Sequence, residues 1–390
     1  MRNFDYTSIR LEITSKCNLF CKYCHDANYL KLDDDLSTVE IKKLIYNLNQ
    51  YNKLKKVLLT GGEPLLNKDI IEIIQYITAL NIKVDMVTNG TLLTEDLILK
   101  LEKAGLKRLR ISIDVPEGYD DFRKVDSNKL WRLARFAKEE TNINICIHTV
   151  FSYNNCHRLE QILDKIIALE LDRWRVFQLG YQGNALSNSI AGDLNYYKEY
   201  TSAVIPVVRK YLSCGHNNTL DMELEGLFKT NWLKTKGVQG KKELLRDVFL
   251  QLHPCHYIHY QGTIRSNGLL TQCQYMHDPI VDFRSHNFDV EEAYKSFKPS
   301  SFDNLTFAEL TTCKSCRYQL LCMGTCRARA DYFEQNIYAP DPVSCILKEN
   351  FFDKIFPLLD GENKERLSSF LLPEYGVPDI EFIALGSNKK

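Results

Sequence analysis

Predicted strands and helices alternate through roughly the first 215 residues of this 390-residue chain. Each short run with strand character precedes a segment whose apolar residues recur at helical spacing. The predicted strands cover 8–14, 56–60, 82–88, 108–113, 142–150 and 173–179, and the predicted helices cover 37–48, 68–80, 94–104, 128–140, 156–170 and 194–212. This order favours parallel strands joined by right-handed crossovers. It predicts an α/β fold with a (β/α)6 barrel or partial barrel, and a doubly wound open sheet fits the same pattern.

The composition is that of an ordinary soluble protein and names no partner. Apolar residues make up 44% of the chain, and 50 Lys and Arg balance 50 Asp and Glu. No overall charge therefore attracts nucleic acid or an anionic membrane. Because neither an export signal nor a bilayer-length apolar run is present, we expect a cytoplasmic protein. In that reducing compartment, the 13 cysteines predict metal or catalytic thiolates rather than disulfides.

Three cysteines lie within eight residues just after the first predicted strand. Cys17, Cys21 and Cys24 are close enough in sequence for one loop to direct all three thiols to one point. A structural zinc site is the alternative, but tetrahedral zinc needs a fourth ligand from His25 or elsewhere. The spacing favours an iron–sulfur cluster with one iron left open.

Polar groups follow several strands at the same predicted edge. The run Gly61-Gly62-Glu63-Pro64 follows the second predicted strand, and each later group follows another one: Thr88 and Asn89, then Ser112 and Asp114. Each group alone is typical of a turn or a helix cap. Because parallel strands carry ligand sites at their carboxyl ends, together they predict a polar ligand above the cysteine loop.

A second set of cysteines marks the C-terminal part of the chain. Its seven members are Cys255, Cys273, Cys313, Cys316, Cys322, Cys326 and Cys345. One four-ligand metal cannot use so many thiols, so two sites are required if most are ligands. Zinc ribbons are the alternative for this segment taken alone.

The cysteine triplet, with Tyr23 before its last member, and the Gly-Gly-Glu-Pro run together resemble the radical S-adenosylmethionine (SAM) superfamily. The resemblance implies that Cys17, Cys21 and Cys24 ligate a [4Fe-4S] cluster whose open iron is chelated by SAM. One electron would then cleave SAM to methionine and a 5′-deoxyadenosyl radical, which abstracts hydrogen from the substrate. The implied SAM-binding residues are Gly61, Gly62 and Glu63 at the amino group, Thr88, Asn89, Ser112 and Asp114 near the ribose and carboxylate, and also Arg123 and Tyr23.

The later cysteines resemble the SPASM extension of radical SAM enzymes, which carries two auxiliary [4Fe-4S] clusters. The family pattern implies one cluster on Cys313, Cys316, Cys322 and Cys345, and another on Cys255, Cys273 and Cys326. The second cluster has three cysteines, so either His256 or His259 completes it or one iron stays open, and we expect the open iron. The chain then divides into a radical SAM partial barrel (1–214), a bridging region (215–252), a C-terminal cysteine-rich auxiliary-cluster domain (253–350) and a helix with a tail (351–390).

Within the SPASM group, the resemblance implies modification of a C–H bond in a ribosomally made peptide by a cross-link, thioether or epimer. A radical SAM enzyme acting on a small-molecule precursor and a sulfatase-maturase-like protein modifier are alternatives. A further alternative is a non-catalytic zinc or iron–sulfur protein. Sulfatase maturases have an aspartate base directly after the second cysteine of the first SPASM pair, where this chain has Gln274. An amide cannot accept a proton as a carboxylate does, which argues against that activity.

The resemblance also implies partners. They are a peptide or protein substrate and a flavodoxin- or ferredoxin-type electron donor. Many peptide-modifying members begin with a leader-binding domain, whereas here the first predicted strand starts near Ser8. A leader peptide would therefore bind a separate leader-peptide-binding protein or the barrel itself.

Overall fold

Eleven strands form one sheet in the computed structural model, which describes residues 4, 6–29, 33–190, 193–215, 219–234, 247–255, 261–322 and 324–372. Two more strands form a separate pair. The thirteen described strands are β1 Ser8–Glu12, β2 Lys56–Thr60, β3 Lys83–Thr88, β4 Leu106–Ser112, β5 Tyr119–Asp120, β6 Val125–Asp126, β7 Asn144–Val150, β8 Arg173–Phe177, β9 Asp221–Leu224, β10 Phe228–Lys229, β11 Gln261–Ile264, β12 Leu269–Cys273 and β13 Met276–Asp282. The sheet order is β10-β9-β8-β7-β4-β3-β2-β1-β11-β12-β13, and β5 and β6 pair separately. Six neighbouring strands, from β1 to β8 without the β5–β6 pair, run parallel. They are the six predicted strands, so the predicted α/β class is confirmed.

Helices connect these strands in the predicted alternation. The described helices are α1 Thr38–Asn52, α2 Ile70–Ala79, α3 Glu95–Lys103, α4 Ser127–Glu140, α5 Leu159–Ala168, α6 Gly183–Ser187, α7 Leu194–Ser213, α8 Thr230–Lys234, α9 Val290–Lys295, α10 Gln319–Cys322, α11 Arg327–Glu334, α12 Pro342–Asn350 and α13 Gly361–Ser368. Helix α1 begins with a capping box, in which Ser37 and Glu40 satisfy each other's backbone N–H groups. In the described part of the chain, no helix is both long and apolar enough to cross a bilayer.

The two faces of the parallel sheet differ in chemistry. On β4, Leu109 and Ile111 are fully buried in the core that the helices cover. Arg108 and Arg110 alternate with these residues, so they lie on the opposite, inner face. There, the guanidinium of Arg110 pairs with the Asp85 carboxylate of β3 at 2.5 Å. A polar inner face and an apolar outer face are what a partial barrel open to a polar ligand requires.

The sheet extends beyond the six predicted strands at both edges. On one side, β9 joins β8 in parallel and turns into β10. On the other side, β11 pairs in parallel with β1 and continues into the antiparallel strands β12 and β13. Both additions come from segments that the sequence assigned to the bridging region and the auxiliary domain. The predicted division of the chain into domains stays a prediction, and the sheet crosses two of its boundaries.

Candidate active site

The three cysteines of the first loop lie close together just beyond the end of β1. The sulfurs of Cys17, Cys21 and Cys24 are near enough that the charge of one thiolate raises the pKa of another. Burial is the larger cause and raises the pKa of Cys21 to about 11 and that of Cys24 to about 12. The metal-free thiols therefore hold their protons, which a metal must displace.

The Gly-Gly-Glu-Pro turn packs directly against the backbone of this loop. A Cβ atom on Gly61 would lie 2.2 Å from the Thr14 carbonyl oxygen, and one on Gly62 would lie 2.3 Å from the Lys16 carbonyl oxygen. The N–H groups of Gly62 and Glu63 donate to these two oxygens at 2.9 and 2.8 Å. Glycine is required here because the two backbones touch. The turn thereby fixes the residues that lead into the first cysteine.

Glu63 joins this turn to the next strand end. Its fully buried carboxylate accepts hydrogen bonds from the Thr88 hydroxyl at 2.6 Å, the Asn89 N–H at 2.7 Å and the Leu65 N–H at 3.1 Å. The Asn89 amide donates to the Asn18 side chain at 2.9 Å. Glu63, Thr88 and Asn89 are thus brought together. Asn18, the residue after Cys17, connects them to the first cysteine loop.

Two buried residues of opposite charge, Asp114 and Arg123, lie next to the first cysteine loop. Asp114 follows β4 and accepts hydrogen bonds from the Tyr23 hydroxyl and from the Val150 N–H. Arg123 is 2% exposed and donates to the carbonyl oxygens of Ser112 and Asn89. Its positive charge favours the thiolate form of Cys21 and the ionised form of Asp114. Arg123 is therefore placed to compensate negative charge at the first loop.

Helix α6 covers the other side of the first loop. Its backbone is so close that a Cβ on Gly183 would lie 2.3 Å from the Cys24 carbonyl oxygen. Asn184 donates through its N–H to that oxygen and through its side chain to the Cys21 carbonyl, both at 2.9 Å. Asn188 donates to the Lys22 carbonyl at 2.8 Å. The carbonyl groups that line the outside of the loop are thereby satisfied.

Four C-terminal thiols form a second group. The pKa of Cys345 is raised first by burial and then by the nearby charges of Cys322, Asp341, Cys313 and Cys316. Burial also raises the pKa of Cys313 to about 12 and that of Cys316 to about 11. The four thiols therefore lie near one another, and their role as ligands of one cluster stays a prediction.

Three further thiols form a third group. The pKa of Cys273 is raised to about 12, first by burial and then by Cys326 and Cys255. Cys273 also accepts a hydrogen bond from the Tyr275 N–H at 3.4 Å. His256 and His259 lie outside the described residues. Cys146, Cys156 and Cys214 belong to none of the three groups by sequence, and we assign them no role.

The donor set of all three groups consists of thiols, which suits iron–sulfur clusters or zinc. Among the residues that the structure describes, no three His, Cys, Asp or Glu side chains converge on one metal-ion position. A single zinc ion needs its sulfurs at about 2.3 Å from one point. A four-iron cluster is a larger body whose ligands bind separate irons, so it does not require its thiols to meet at one point.

Comparison with known proteins agrees with the iron–sulfur interpretation of these thiols. The family model of the Radical SAM superfamily matches residues 11–173. A PqqA peptide cyclase of Bradyrhizobium diazoefficiens is 32% identical over 393 residues, covering 96% of this chain and 94% of the relative. The chain belongs to the radical SAM superfamily. A PqqA peptide cyclase of Rhodopseudomonas palustris is also similar, at 25% identity over 386 residues, with 96% of this chain and 95% of the relative covered.

Solved structures share the fold of this radical SAM chain. Native anSMEcpe with bound AdoMet has a TM-score of 0.66 at 19% identity, with 92% of this chain and 99% of that chain covered. Streptococcus suis SuiB bound to S-adenosylmethionine has a TM-score of 0.63 at 16% identity, with 87% and 77% covered. These structures show the fold. The family match and the PqqA peptide cyclase relatives show that this chain is an enzyme, and the cofactors of its superfamily are a [4Fe-4S] cluster and SAM.

The sequence did not indicate two features of this radical SAM site. Asn18 lies between ligand candidates and reads as an ordinary loop residue. Helix α6 has five residues, too few for a periodic signal, and the sequence around Gly183 is typical of a turn. Asn184 within α6 and Asn188 just after it were the available signal, because asparagine side chains satisfy backbone groups outside regular structure.

Proposed function

We propose that this radical SAM enzyme modifies a C–H bond in a ribosomally made peptide, forming a cross-link, thioether or epimer. The observation that carries the proposal is the similarity to PqqA peptide cyclases over nearly the full length of both chains. The similarity extends past the barrel into the cysteine-rich part, and the mutual effects of its thiols on one another's pKa support two ligand sets there.

Cys17, Cys21 and Cys24 would hold the first [4Fe-4S] cluster. The residues proposed to bind SAM around it are Gly61, Gly62, Glu63, Thr88, Asn89, Ser112, Asp114, Arg123 and Tyr23. When bound, this cluster supplies the electron that splits SAM into methionine and a 5′-deoxyadenosyl radical. The contacts of Glu63 and Arg123 within the protein support a positioning role, since each joins two of the surrounding strand ends.

The remaining thiols would hold two auxiliary clusters. Cys313, Cys316, Cys322 and Cys345 supply a complete set of four ligands. Cys255, Cys273 and Cys326 supply three, and we propose that the fourth iron is open to substrate or solvent. An open iron could bind a substrate thiolate, and it could also accept an electron.

Gln274 supports a peptide substrate other than a sulfatase. Its side-chain oxygen accepts a hydrogen bond from Arg10 on the inner face of β1. The amide has no proton-accepting function comparable to a carboxylate at this position. The PqqA peptide cyclases, which are similar over 96% of this chain, favour a peptide over a small-molecule substrate.

Two partners belong to the proposal. A flavodoxin- or ferredoxin-type protein would deliver the electron, and a separate protein would bind any leader peptide. The domain division at residues 214, 252 and 350 is also part of the proposal.

Anaerobic reconstitution of the full chain with iron and sulfide tests the proposal. Three four-iron clusters predict about 12 irons per chain. Incubation with a candidate precursor peptide, SAM and dithionite should shift the peptide mass down by about two units for a cross-link. For an epimer, the peptide mass stays constant in ordinary water, and the peptide gains deuterium when the reaction is run in deuterated water.

The control is the variant in which Cys17, Cys21 and Cys24 are replaced by Ala. It should bind about eight irons and leave the peptide unchanged. Tightly bound zinc in the wild type, without SAM cleavage, would contradict the proposal.

A further inference from the structure

Lys348 is a buried lysine beside the four-thiol group. It lies on α12, three residues after Cys345, and is 5% exposed. Its ammonium donates to the Gly226 carbonyl oxygen at 3.0 Å and lies 4.8 Å from the centre of the Trp232 ring. A ring and one carbonyl oxygen stabilise a cation, but neither carries a negative charge.

No carboxylate pairs with this ammonium among the residues that the structure describes. The nearby charges that act on it are Lys229 and Arg329, which repel it, and the thiols of Cys322 and Cys345. Burial is the largest cause that lowers the pKa of Lys348, to about 8. A buried cation is costly unless a negative charge lies near it. The side chains within reach that can supply such a charge are thiolates.

Arg327 is a second buried cation next to the same thiols. It is 1% exposed, and in the described part of the chain its hydrogen bonds go to the carbonyl oxygens of Ile337, Ala339 and Gly324. Its charge favours the thiolate forms of Cys313 and Cys322. Two cations thus approach the four-thiol group from α11 and α12.

The three-thiol group is balanced differently. Its nearby cation is Arg329, which favours the thiolate of Cys326. Arg329 pairs with Asp341 at 2.9 Å and with Glu225 at 3.8 Å. Its charge is therefore offset by carboxylates, whereas that of Lys348 is not.

We propose that Lys348 sets the reduction potential of the cluster held by Cys313, Cys316, Cys322 and Cys345. The inference rests on the cluster assignment made under the proposed function. Four thiolates outweigh the positive charge of an oxidised four-iron core, and one-electron reduction makes the site still more negative. A buried positive charge beside it favours the reduced form and raises the potential. Lys348 acts through the cluster and touches no substrate. It is therefore a positioning residue, whose role is to hold a positive charge beside the cluster.

The test compares Lys348→Gln with Lys348→Arg in the anaerobically reconstituted full chain. Glutamine keeps a donor for the Gly226 carbonyl and removes the charge, while arginine keeps the charge. Lys295→Gln removes a lysine charge from an exposed pair with Glu291 and Glu292 and is the control. Dithionite supplies the electron, and electron paramagnetic resonance follows the reduced cluster at fixed potentials. The signal of this site is identified by its loss in Cys345→Ala.

At the wild-type midpoint potential, Lys348→Gln should lower the ratio of reduced to oxidised cluster by about tenfold. Lys348→Arg and Lys295→Gln should stay within about twofold of the wild type. Loss of about four irons in Lys348→Gln but not in Lys348→Arg would overturn the proposal, because the charge would then hold the cluster rather than set its potential.

Two further results would overturn the role of Lys348. One is an unchanged potential in Lys348→Gln with the iron content intact, and the other is equal iron loss in both variants, which would indicate a packing role. About eight irons in the wild type would instead contradict the cluster assignment. The two failures are therefore distinguishable without any peptide substrate.

Discussion

Asp114 is a single buried carboxylate whose neighbours act on its charge in opposite directions. Burial is the largest effect and raises its pKa to about 6; Arg123 lowers the pKa, and Asp120 raises it again. An exposed aspartate has a pKa of about 3.9. The folded chain therefore keeps a proton on Asp114 over a pH range in which the unfolded chain has lost it.

Asp114→Asn should remove a pH dependence of stability. A raised folded-state pKa contributes stability that is fully present below about pH 4 and is lost as the pH rises to about 6. Because asparagine does not ionise, the variant should gain about 2–3 kcal/mol relative to the wild type between pH 4 and pH 7. Urea unfolding of the metal-free protein at both pH values measures this difference. The hydrogen bond from the Val150 N–H is retained, since the amide oxygen accepts it.

Asp360→Asn is the matched control, because the pH dependence of stability that Asp360 contributes has the opposite sign. Asp360 caps α13, and the Asn363 N–H lowers its pKa. Its contribution is present at neutral pH and is lost as the pH falls through the lowered pKa. A stability difference between Asp114→Asn and the wild type that is the same at pH 4 and pH 7 would show that the Asp114 carboxylate is not perturbed in the folded chain.

At the scale of elements, α6 holds the first cysteine loop in place. Gly183 begins this helix with a φ of +55°, and its Cα faces the carbonyl oxygens of Cys24 and His25. Gly361 begins α13, and a Cβ there would meet nothing within 4 Å. The two glycines differ in surroundings while sharing the first position of a short helix.

Gly183→Ala should therefore destabilise the chain, and Gly361→Ala should not. A side chain at Gly183 meets backbone atoms and an unfavourable φ, so a cost of about 2 kcal/mol or more is expected. Alanine at Gly361 should be neutral or stabilising by up to about 1 kcal/mol. Thermal unfolding and the iron content of the reconstituted protein measure both effects. Equal behaviour of the two variants would mean that α6 does not constrain the loop.

The contrast between α6 and the larger elements explains how far the sequence predicts this structure. Helices such as α1 and strands such as β3 carry periodic patterns that their own residues set. The spacing of Cys17, Cys21 and Cys24 also predicts one shared site, whereas the division of the seven later cysteines is what the resemblance to the SPASM extension implies. The hydrogen bonds of Asn18 and Asn184 to the first loop, and the pairing of β11 with β1, depend on contacts between distant segments. No local pattern records such contacts, so the supports of the site could not be predicted.

At the scale of the whole molecule, one arginine joins the barrel, the first cysteine loop and the C-terminal strands. Arg265 follows β11 and pairs with Glu12 of β1 at 2.8 Å and with Asp26 of the loop at 3.1 Å. All three residues are less than 9% exposed. Burial and Asp26 raise the pKa of Glu12, whereas Arg265 lowers it. The arginine thus keeps two neighbouring buried carboxylates compatible.

Removing Arg265 alone should lower the free energy of unfolding more than removing Arg265 together with the charge of Glu12. Arg265→Met removes the arginine that pairs with both buried carboxylates and leaves Asp26 with Arg10 and His25 as its neighbours, so we expect a loss of about 3–5 kcal/mol in the free energy of unfolding. Adding Glu12→Gln should recover part of this loss, because one of the two carboxylates is then uncharged. Urea unfolding of the two single variants and the double variant completes the cycle. Lys100→Met, which breaks the exposed pair with Asp96, is the control and should cost less than about 1 kcal/mol. Additive losses in the cycle would mean that the C-terminal strands and the first loop are held together by packing rather than by this charge.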